Sequence, residues 1–254
     1  MTMKQNRIAV FFTAPARENE AKILAKNLKI PLLNSLKSSY QYDYIIIFEN
    51  SQIGLWHTKA NQKTIFYIDF SEKKLSFRSQ KASLRNELIA RAIGIPAKSR
   101  PKIVDATAGL GRDSYILANL GYEIILLERS PVIYTLLQDA LWRDQSPARQ
   151  RLTLICADAI DWLKNLSHDE QPDVIYLDPM FPARGKSAAA KKEIAMLQNF
   201  IGKDEDTERL FQVAFSCAKR KVVVKRHRLA ANIVERVPNY SLTGKSNRFD
   251  IYLV

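Results

Sequence analysis

The sequence predicts an α/β protein built on a seven-stranded, mostly parallel sheet and preceded by a small α+β unit. Three observations carry that prediction. From Lys102 onward, short apolar segments alternate with amphipathic segments of helical period, the pattern of parallel strands covered on both faces. At the end, two strand-like segments are separated only by Gly244-Lys245-Ser246-Asn247, and a connection that short requires an antiparallel hairpin. Before Lys102 the chain is richer in strand patterns, so residues 1–75 read as the small unit and 76–254 as the sheet domain.

In the first unit, Arg7 to Thr13 is rich in β-branched and aromatic residues and predicts a strand. Glu18 to Leu28 places Ala21, Leu24, Ala25 and Leu28 on one helical face. Tyr42 to Phe48, Gln52 to His57 and Thr64 to Phe70 read as strands of a meander or a set of hairpins. The polar, basic stretch Ser71 to Leu84 reads as a linker. A helix from about Ser83 to Ile93 follows, stopped by Gly94 and Pro96.

In the second unit the predicted strands are Lys102 to Asp105, Glu123 to Glu128, Leu152 to Cys156, Asp173 to Leu177 and Lys221 to Lys225. The closing pair is Tyr240 to Thr243 and Arg248 to Leu253. Five parallel strands and this pair make up the seven.

Composition narrows the function classes. Apolar residues make up 46% and charged residues 26% of the 254, ordinary values for a folded chain, which excludes a disordered tail protein. The longest apolar runs, such as Tyr44 to Phe48, fall far short of the roughly 20 residues of a membrane span. The N-terminus shows no secretory pattern. Two cysteines, Cys156 and Cys217, are too few for a disulfide framework and read as buried free thiols. Together these predict a cytoplasmic protein with no membrane partner. There is no His/Cys/Asp spacing for a metal and no Ser-His-Asp signature.

The net charge is +13, and its distribution is uneven. Residues 1–100 carry 17 Lys and Arg against 7 Asp and Glu, residues 101–170 carry 7 against 10, and residues 171–254 carry 15 against 9. An acidic middle therefore lies between two basic flanks. Basic surface attracts polyanions, nucleic acid first.

The first strand of the alternating region runs into Asp105-Ala106-Thr107-Ala108-Gly109-Leu110-Gly111-Arg112-Asp113. Gly109 and Gly111 let the backbone turn tightly and approach a ligand, and a helix starting at Arg112 would aim its free N–H groups there. Glu128 ends the next strand, where an acid accepts hydrogen bonds from ribose hydroxyls. Nicotinamide and S-adenosylmethionine (S-adenosyl-L-methionine, SAM) sites share this layout. Two details favour SAM. Ser114 stands where a dinucleotide fingerprint has Gly or Ala. Asp105 would repel a pyrophosphate but suits a cationic ligand. A plain tight turn with a helix cap uses the same residues. Asp158, after the third strand, fits either an adenine contact or the N-cap of a helix from Ala159 to Leu166.

The fourth strand ends in Tyr176-Leu177-Asp178-Pro179-Met180-Phe181-Pro182, at the sheet edge where open parallel sheets bind ligands. Asp178, Pro179 and Phe181 match the acid-proline-proline-aromatic signature of amino-group methyltransferases, with Met180 in place of the second proline. Hydrogen bonds to the Asp178 carboxylate and the Pro179 carbonyl would draw the lone pair of a base amine out of conjugation and align it for transfer. Phe181 would stack on the base. Alternatively, Asp-Pro is a structural turn initiator. Around this segment cluster Arg184, Lys186, Lys191 and Lys192, and at the end of the fifth strand Lys225, Arg226, His227 and Arg228. Arg184, Lys186, Lys191, Lys192, Lys225, Arg226 and Arg228 are the expected phosphate contacts.

As a set, DATAGLGRD (Asp105 to Asp113), ERSP (Glu128 to Pro131), YLDPMFP (Tyr176 to Pro182), KSAAAKKE (Lys186 to Glu193), KVVVKR (Lys221 to Arg226) and RFDIY (Arg248 to Tyr252) resemble the bacterial 16S rRNA (guanine-1516-N2)-methyltransferase family. The similarity covers the chain from about Asp69 to its end. It implies a class I, Rossmann-like SAM-dependent methyltransferase sheet, SAM contacts at Arg112, Asp113, Glu128, Arg129, Asp158 and Asp178, and a guanine of 16S ribosomal RNA, free or in the small subunit, as substrate. One departure is Phe77 to Asn86, where the family's glycine-rich stretch is absent and Arg78 and Arg85 keep charged roles. The rival readings are a DNA or protein-glutamine amino methyltransferase and a non-catalytic nucleotide- or RNA-binding module.

Overall fold

The apolar run Tyr44–Phe48 and its neighbours form a four-stranded sheet in the computed structural model, which describes residues 7–60, 65–179, 200 and 206–254. Its strands are β1 (Ile8–Phe12), β2 (Tyr44–Phe48), β3 (Ile53–His57) and β4 (Ile65–Phe66), in that order across the sheet. The expected meander is β2-β3-β4, all antiparallel, and β1 pairs with β2 in parallel. Such a pairing needs a crossover, and α1 (Glu18–Leu28) lies within it. All five residues of β2 are buried because both faces of a central strand are covered. Chain contacts group α5 (Pro131–Arg143) with this first unit. The tie is Asp139, which is buried, takes the N–H of Ile53 at 3.1 Å and pairs with Arg143 at 2.8 Å.

The second unit holds the seven-stranded sheet, in the order β10-β11-β9-β8-β5-β6-β7. Its strands are β5 (Ile103–Asp105), β6 (Ile124–Glu128), β7 (Leu152–Cys156), β8 (Val174–Leu177), β9 (Lys221–His227), β10 (Tyr240–Thr243) and β11 (Asn247–Leu253). β5 to β9 run parallel, and β11 is antiparallel to both β9 and β10. The expected fold class is therefore the observed one, including the closing hairpin.

One face of this sheet presents Val104, Ile175, Leu177, Val222 and Val224 to α6 (Ala159–Lys164) and α7 (Thr207–Cys217), whose Ile160, Leu163, Phe211 and Ala214 complete the core. α3 (Leu88–Ile93) packs against β10 and β11, and α4 (Arg112–Asn119) against β6 and β7.

Three expectations need correction. Ser71 to Leu84 contains a helix, α2 (Lys73–Lys81), rather than only a linker. Its polar sequence shows little apolar periodicity; burial of Leu75 and an ion pair of Arg78 with Asp113 hold it in place. The helix expected from Ser83 begins at Leu88, after a turn in which Ser83 and Asn86 exchange side-chain and backbone hydrogen bonds. Of the two thiols expected to be buried, Cys217 is buried and Cys156 is exposed, because β7 is the edge strand of the sheet.

Candidate active site

Strand order reverses at β5, whose neighbours are β8 on one side and β6 on the other. This is the switch point at which open α/β sheets bind ligands beyond their carboxyl ends. Each of four adjacent strands delivers an acid there: Asp105 from β5, Glu128 from β6, Asp158 after β7 and Asp178 after β8.

The glycine turn joins these strand ends. Ala106 donates its N–H to Tyr176 O at 3.0 Å and Ala108 to Leu127 O at 3.1 Å, so the loop is sewn to β8 and β6. Gly109 and Gly111 have φ of 52° and 66°, the left-handed region that penalises a side chain. Gly111 is the N-cap of α4, which starts at Arg112 as expected and has no side-chain cap, so its first N–H groups face the turn. The Thr107 hydroxyl accepts the N–H of Asp178 at 2.6 Å, which fixes the start of the Asp-Pro segment.

Asp105 is buried under this turn. It accepts the Ser114 hydroxyl at 2.6 Å and the Thr107 N–H at 3.1 Å. Ser114, which departs from the dinucleotide pattern, thus has a structural partner. Burial pushes the Asp105 carboxyl up to about 7, against the pull of those two hydrogen bonds and with help from the charges of Asp178 and Asp113. Glu128 is also buried; Oε2 takes the N–H of Gly109 at 2.9 Å and Oε1 the N–H of Ser130 at 2.7 Å. Asp158 Oδ1 accepts from Ile160 and Asp161 at 2.9 and 3.2 Å, so the helix-cap role is present. Among the described residues Oδ2 accepts no hydrogen bond, which leaves it for a ligand.

A charged network that sequence reasoning did not find occupies the β8 side. Lys225 Nζ lies 2.6 Å from both Asp113 Oδ2 and Asp178 Oδ2. Asp113 also accepts Arg78 Nη1 at 3.0 Å and the Tyr176 hydroxyl at 2.9 Å. Burial opposes ionisation of Asp113, but the charges of Lys225 and Arg78 outweigh it and hold the carboxyl well below the usual range. For Asp178 the direction is upward: the surrounding protein raises it, Lys225 opposes, and Asp113 adds to the rise. Burial lowers Lys225, and the two carboxylates more than reverse this, so the ammonium stays charged.

The remaining expected residues divide. Arg112 pairs with Glu72 and Arg129 with Asp206, each at 3.0 Å. Lys225, expected to face RNA, instead points into the acidic cluster. Arg226, expected beside it, is buried, with Nε and Nη2 on Ala231 O at 3.1 and 2.7 Å; strand alternation turns it inward. Arg228 is exposed. Pro179 is buried. Phe181, Arg184, Lys186, Lys191 and Lys192, with Met180 and Pro182, lie outside the described residues. No His/Cys/Asp/Glu group fit for a metal occurs among the described residues. A cavity of about 420 Å³ lined by Lys98, Arg100, Glu123 and Arg151 sits before the amino ends of β5 to β7, opposite the acids.

These residues fit SAM. A run of carboxylates suits a ligand with cationic amino and sulfonium groups, and the positive-φ glycines leave backbone open to it. A dinucleotide pyrophosphate would meet the same carboxylates unfavourably.

Residues 31–254 match the family model described as "Putative SAM-dependent methyltransferase". The chain is 39% identical to ribosomal RNA small subunit methyltransferase J of Thioalkalivibrio sulfidiphilus, covering 99% of both chains. It is 40% identical to the protein of the same name from Coxiella burnetii, over 97% of both. A crystal structure of a SAM-dependent methyltransferase from Neisseria gonorrhoeae superposes with a TM-score of 0.73 at 28% identity, covering 96% of this chain and 95% of that one. A SAM-type glycine turn, an acid on each of four strand ends and full-length relatives agree, and the chain belongs to the ribosomal RNA small subunit methyltransferase J family of SAM-dependent methyltransferases.

Proposed function

We propose that this chain transfers a methyl group from SAM to the exocyclic N2 amine of a guanine in 16S ribosomal RNA. The observation that carries the reading is Asp178. It stands at the carboxyl end of β8 beside the glycine turn, with its N–H on Thr107, Oδ2 on Lys225 and Pro179 next in the chain.

SAM supplies an electrophilic methyl group on a sulfonium, whose C–S bond breaks as the N–C bond forms. The chain's part is to hold and prepare the amine. Asp178 Oδ1 accepts one amine N–H and the Pro179 carbonyl the other, which frees the nitrogen lone pair from the ring and points it at the methyl. Once the nitrogen carries the methyl its proton becomes acidic, and it leaves through Asp178 to water, so no strong base is required. A guanine in a stem must first be flipped out, at a cost of a few kcal/mol.

In this reading Glu128 holds the ribose, Asp158 Oδ2 the adenine amine, and Asp105, Gly109, Gly111, Arg112, Asp113 and Arg129 shape the cofactor site. Phe181 stacks on the base. Arg228, with Arg184, Lys186, Lys191 and Lys192, tracks the RNA backbone. The substrate is the RNA or the small subunit, and the site of action is the cytoplasm. No helix among the described residues is long and apolar enough to cross a membrane. Mass mapping of 16S ribosomal RNA from a strain lacking the gene tests the proposal. The guanine should be unmodified there and restored by the gene; a fully methylated guanine in the deletion strain refutes it.

A further inference from the structure

By sequence Lys225 opens a basic run, yet its ammonium is spent between two carboxylates. Register explains how. β8 and β9 are parallel with Leu177 opposite Val224, so the next residues along the two strands are Asp178 and Lys225. Nζ meets Asp178 Oδ2 and, behind it, Asp113 Oδ2, each at 2.6 Å. Asp113 is anchored in turn by Arg78 at 3.0 Å and by the Tyr176 hydroxyl at 2.9 Å. Arg78 also holds both oxygens of Glu87, with contacts of 2.8 to 3.2 Å.

The contacts Glu87, Arg78, Asp113, Lys225 and Asp178 alternate in sign and end on the residue that faces the substrate. Asp178 is tied at its backbone by Thr107 and at one oxygen by Lys225, and Oδ1 accepts no hydrogen bond among the described residues. A carboxylate held in this way has few torsional choices left, which is the condition for a fixed acceptor.

We propose that Lys225 is a positioning residue for methyl transfer: braced by Asp113, it locks the Asp178 carboxylate so that Oδ1 meets the target amine. The proposal rests on the reading of Asp178 as the amine's acceptor. Lys225 also sets a charge. Among the described residues, the groups facing Asp178 are Lys225 from β9, Asp113 from α4, Asp105 from β5 and Tyr176 from β8. Without the ammonium, Asp178 would still feel the Asp113 charge but lose the Lys225 charge that opposes it, and would keep a proton to higher pH.

The test is methyl transfer to 16S ribosomal RNA by the wild type and by Lys225→Gln, Lys225→Arg and Asp178→Ala, as kcat, KM for RNA and the pH profile of kcat. Lys225→Gln should lower kcat about 100-fold with KM for RNA little changed. Its acid limb should move up by about one to three pH units. Lys225→Arg keeps the charge, so the limb should stay in place while kcat lies between those of the wild type and Lys225→Gln. Unchanged kcat in Lys225→Gln overturns the proposal. So does a raised KM with a shallower salt dependence, the mark of a phosphate contact, and so does a lower kcat with an unmoved limb and no rescue by Arg. If Lys225→Gln does not fold, the Arg variant decides, and full wild-type kcat there overturns the positioning claim. An inactive wild type or an active Asp178→Ala brings down the functional reading; a dead Asp178→Ala beside a normal Lys225→Gln brings down this inference alone.

Discussion

Gly109 donates its backbone N–H to Glu128 Oε2 at 2.9 Å, which binds the turn after β5 to the acid that ends β6. The other Glu128 oxygen holds the N–H of Ser130, so one carboxylate sets two loops at once. Glu128→Ala removes both acceptors, and an unmet buried N–H costs ~1–3 kcal/mol. We expect at least a tenfold loss of SAM affinity by calorimetric titration, with Glu128→Gln, which keeps one oxygen, between wild type and Ala.

Gly109→Ala tests the backbone instead. Among the described residues an added Cβ would meet only Thr107 O, at an ordinary 3.7 Å, so the cost is conformational. A left-handed φ costs a residue with a side chain roughly 1–2 kcal/mol. Urea denaturation should report that loss, and SAM affinity should fall with it.

The two acids flanking Ser114 should affect stability in opposite pH ranges. Asp105 is raised from 3.8 to about 7, so between these values the folded state holds a proton that the unfolded state has released. Its contribution to stability therefore declines as pH rises from about 4 to 7, by up to about 1.4 kcal/mol per pH unit. Asp105→Asn should flatten that slope in denaturant titrations across pH. Asp113 is held low by Lys225 and Arg78, so its stabilisation is present above pH 4 and is lost only in acid. Asp113→Asn should weaken the fold at neutral pH and leave it little changed in strong acid.

Arg226 and Arg228 are two residues apart in the chain and should behave differently. Arg228 is exposed, and Arg228→Ala should weaken RNA binding and reduce the slope of log affinity against log salt by about 1. Arg226 is buried and fastens Ala231. Arg226→Ala should instead lower stability, by about 1.5–3 kcal/mol for a charged hydrogen bond. Filter binding at several salt concentrations and thermal melts separate the two.

Much of the sheet was legible because apolar strands and their turns are local signals. α1, β7 and β10 begin and end where the periodicity places them, and the glycine turn and hairpin announce the topology. What escaped was set by distant partners. α2 has a weak apolar face and depends on Arg78 reaching Asp113. Lys225 and Arg226 look like surface charge in sequence, but Lys225 meets Asp113 and Asp178 and Arg226, one residue on and so on the opposite face of the strand, is buried against Ala231. Cys156 is apolar in context but lies on an edge strand, and edge position is a property of the whole sheet. Asp105, Glu128, Asp158 and Asp178 were found because each lies at the carboxyl end of a strand; the bonds that tie Asp178 and Asp113 to Lys225 were not.

At the heart of the proposed function, the Asp178 carboxylate prepares a guanine amine of 16S ribosomal RNA for methylation. Single-turnover transfer of labelled methyl from SAM to unmodified 16S ribosomal RNA tests it most directly, comparing wild type with Asp178→Ala at matched fold and SAM occupancy. We expect label on one guanine N2 with the wild type and a loss of at least 100-fold in the variant. Wild-type rates in a folded, SAM-saturated Asp178→Ala protein would contradict it.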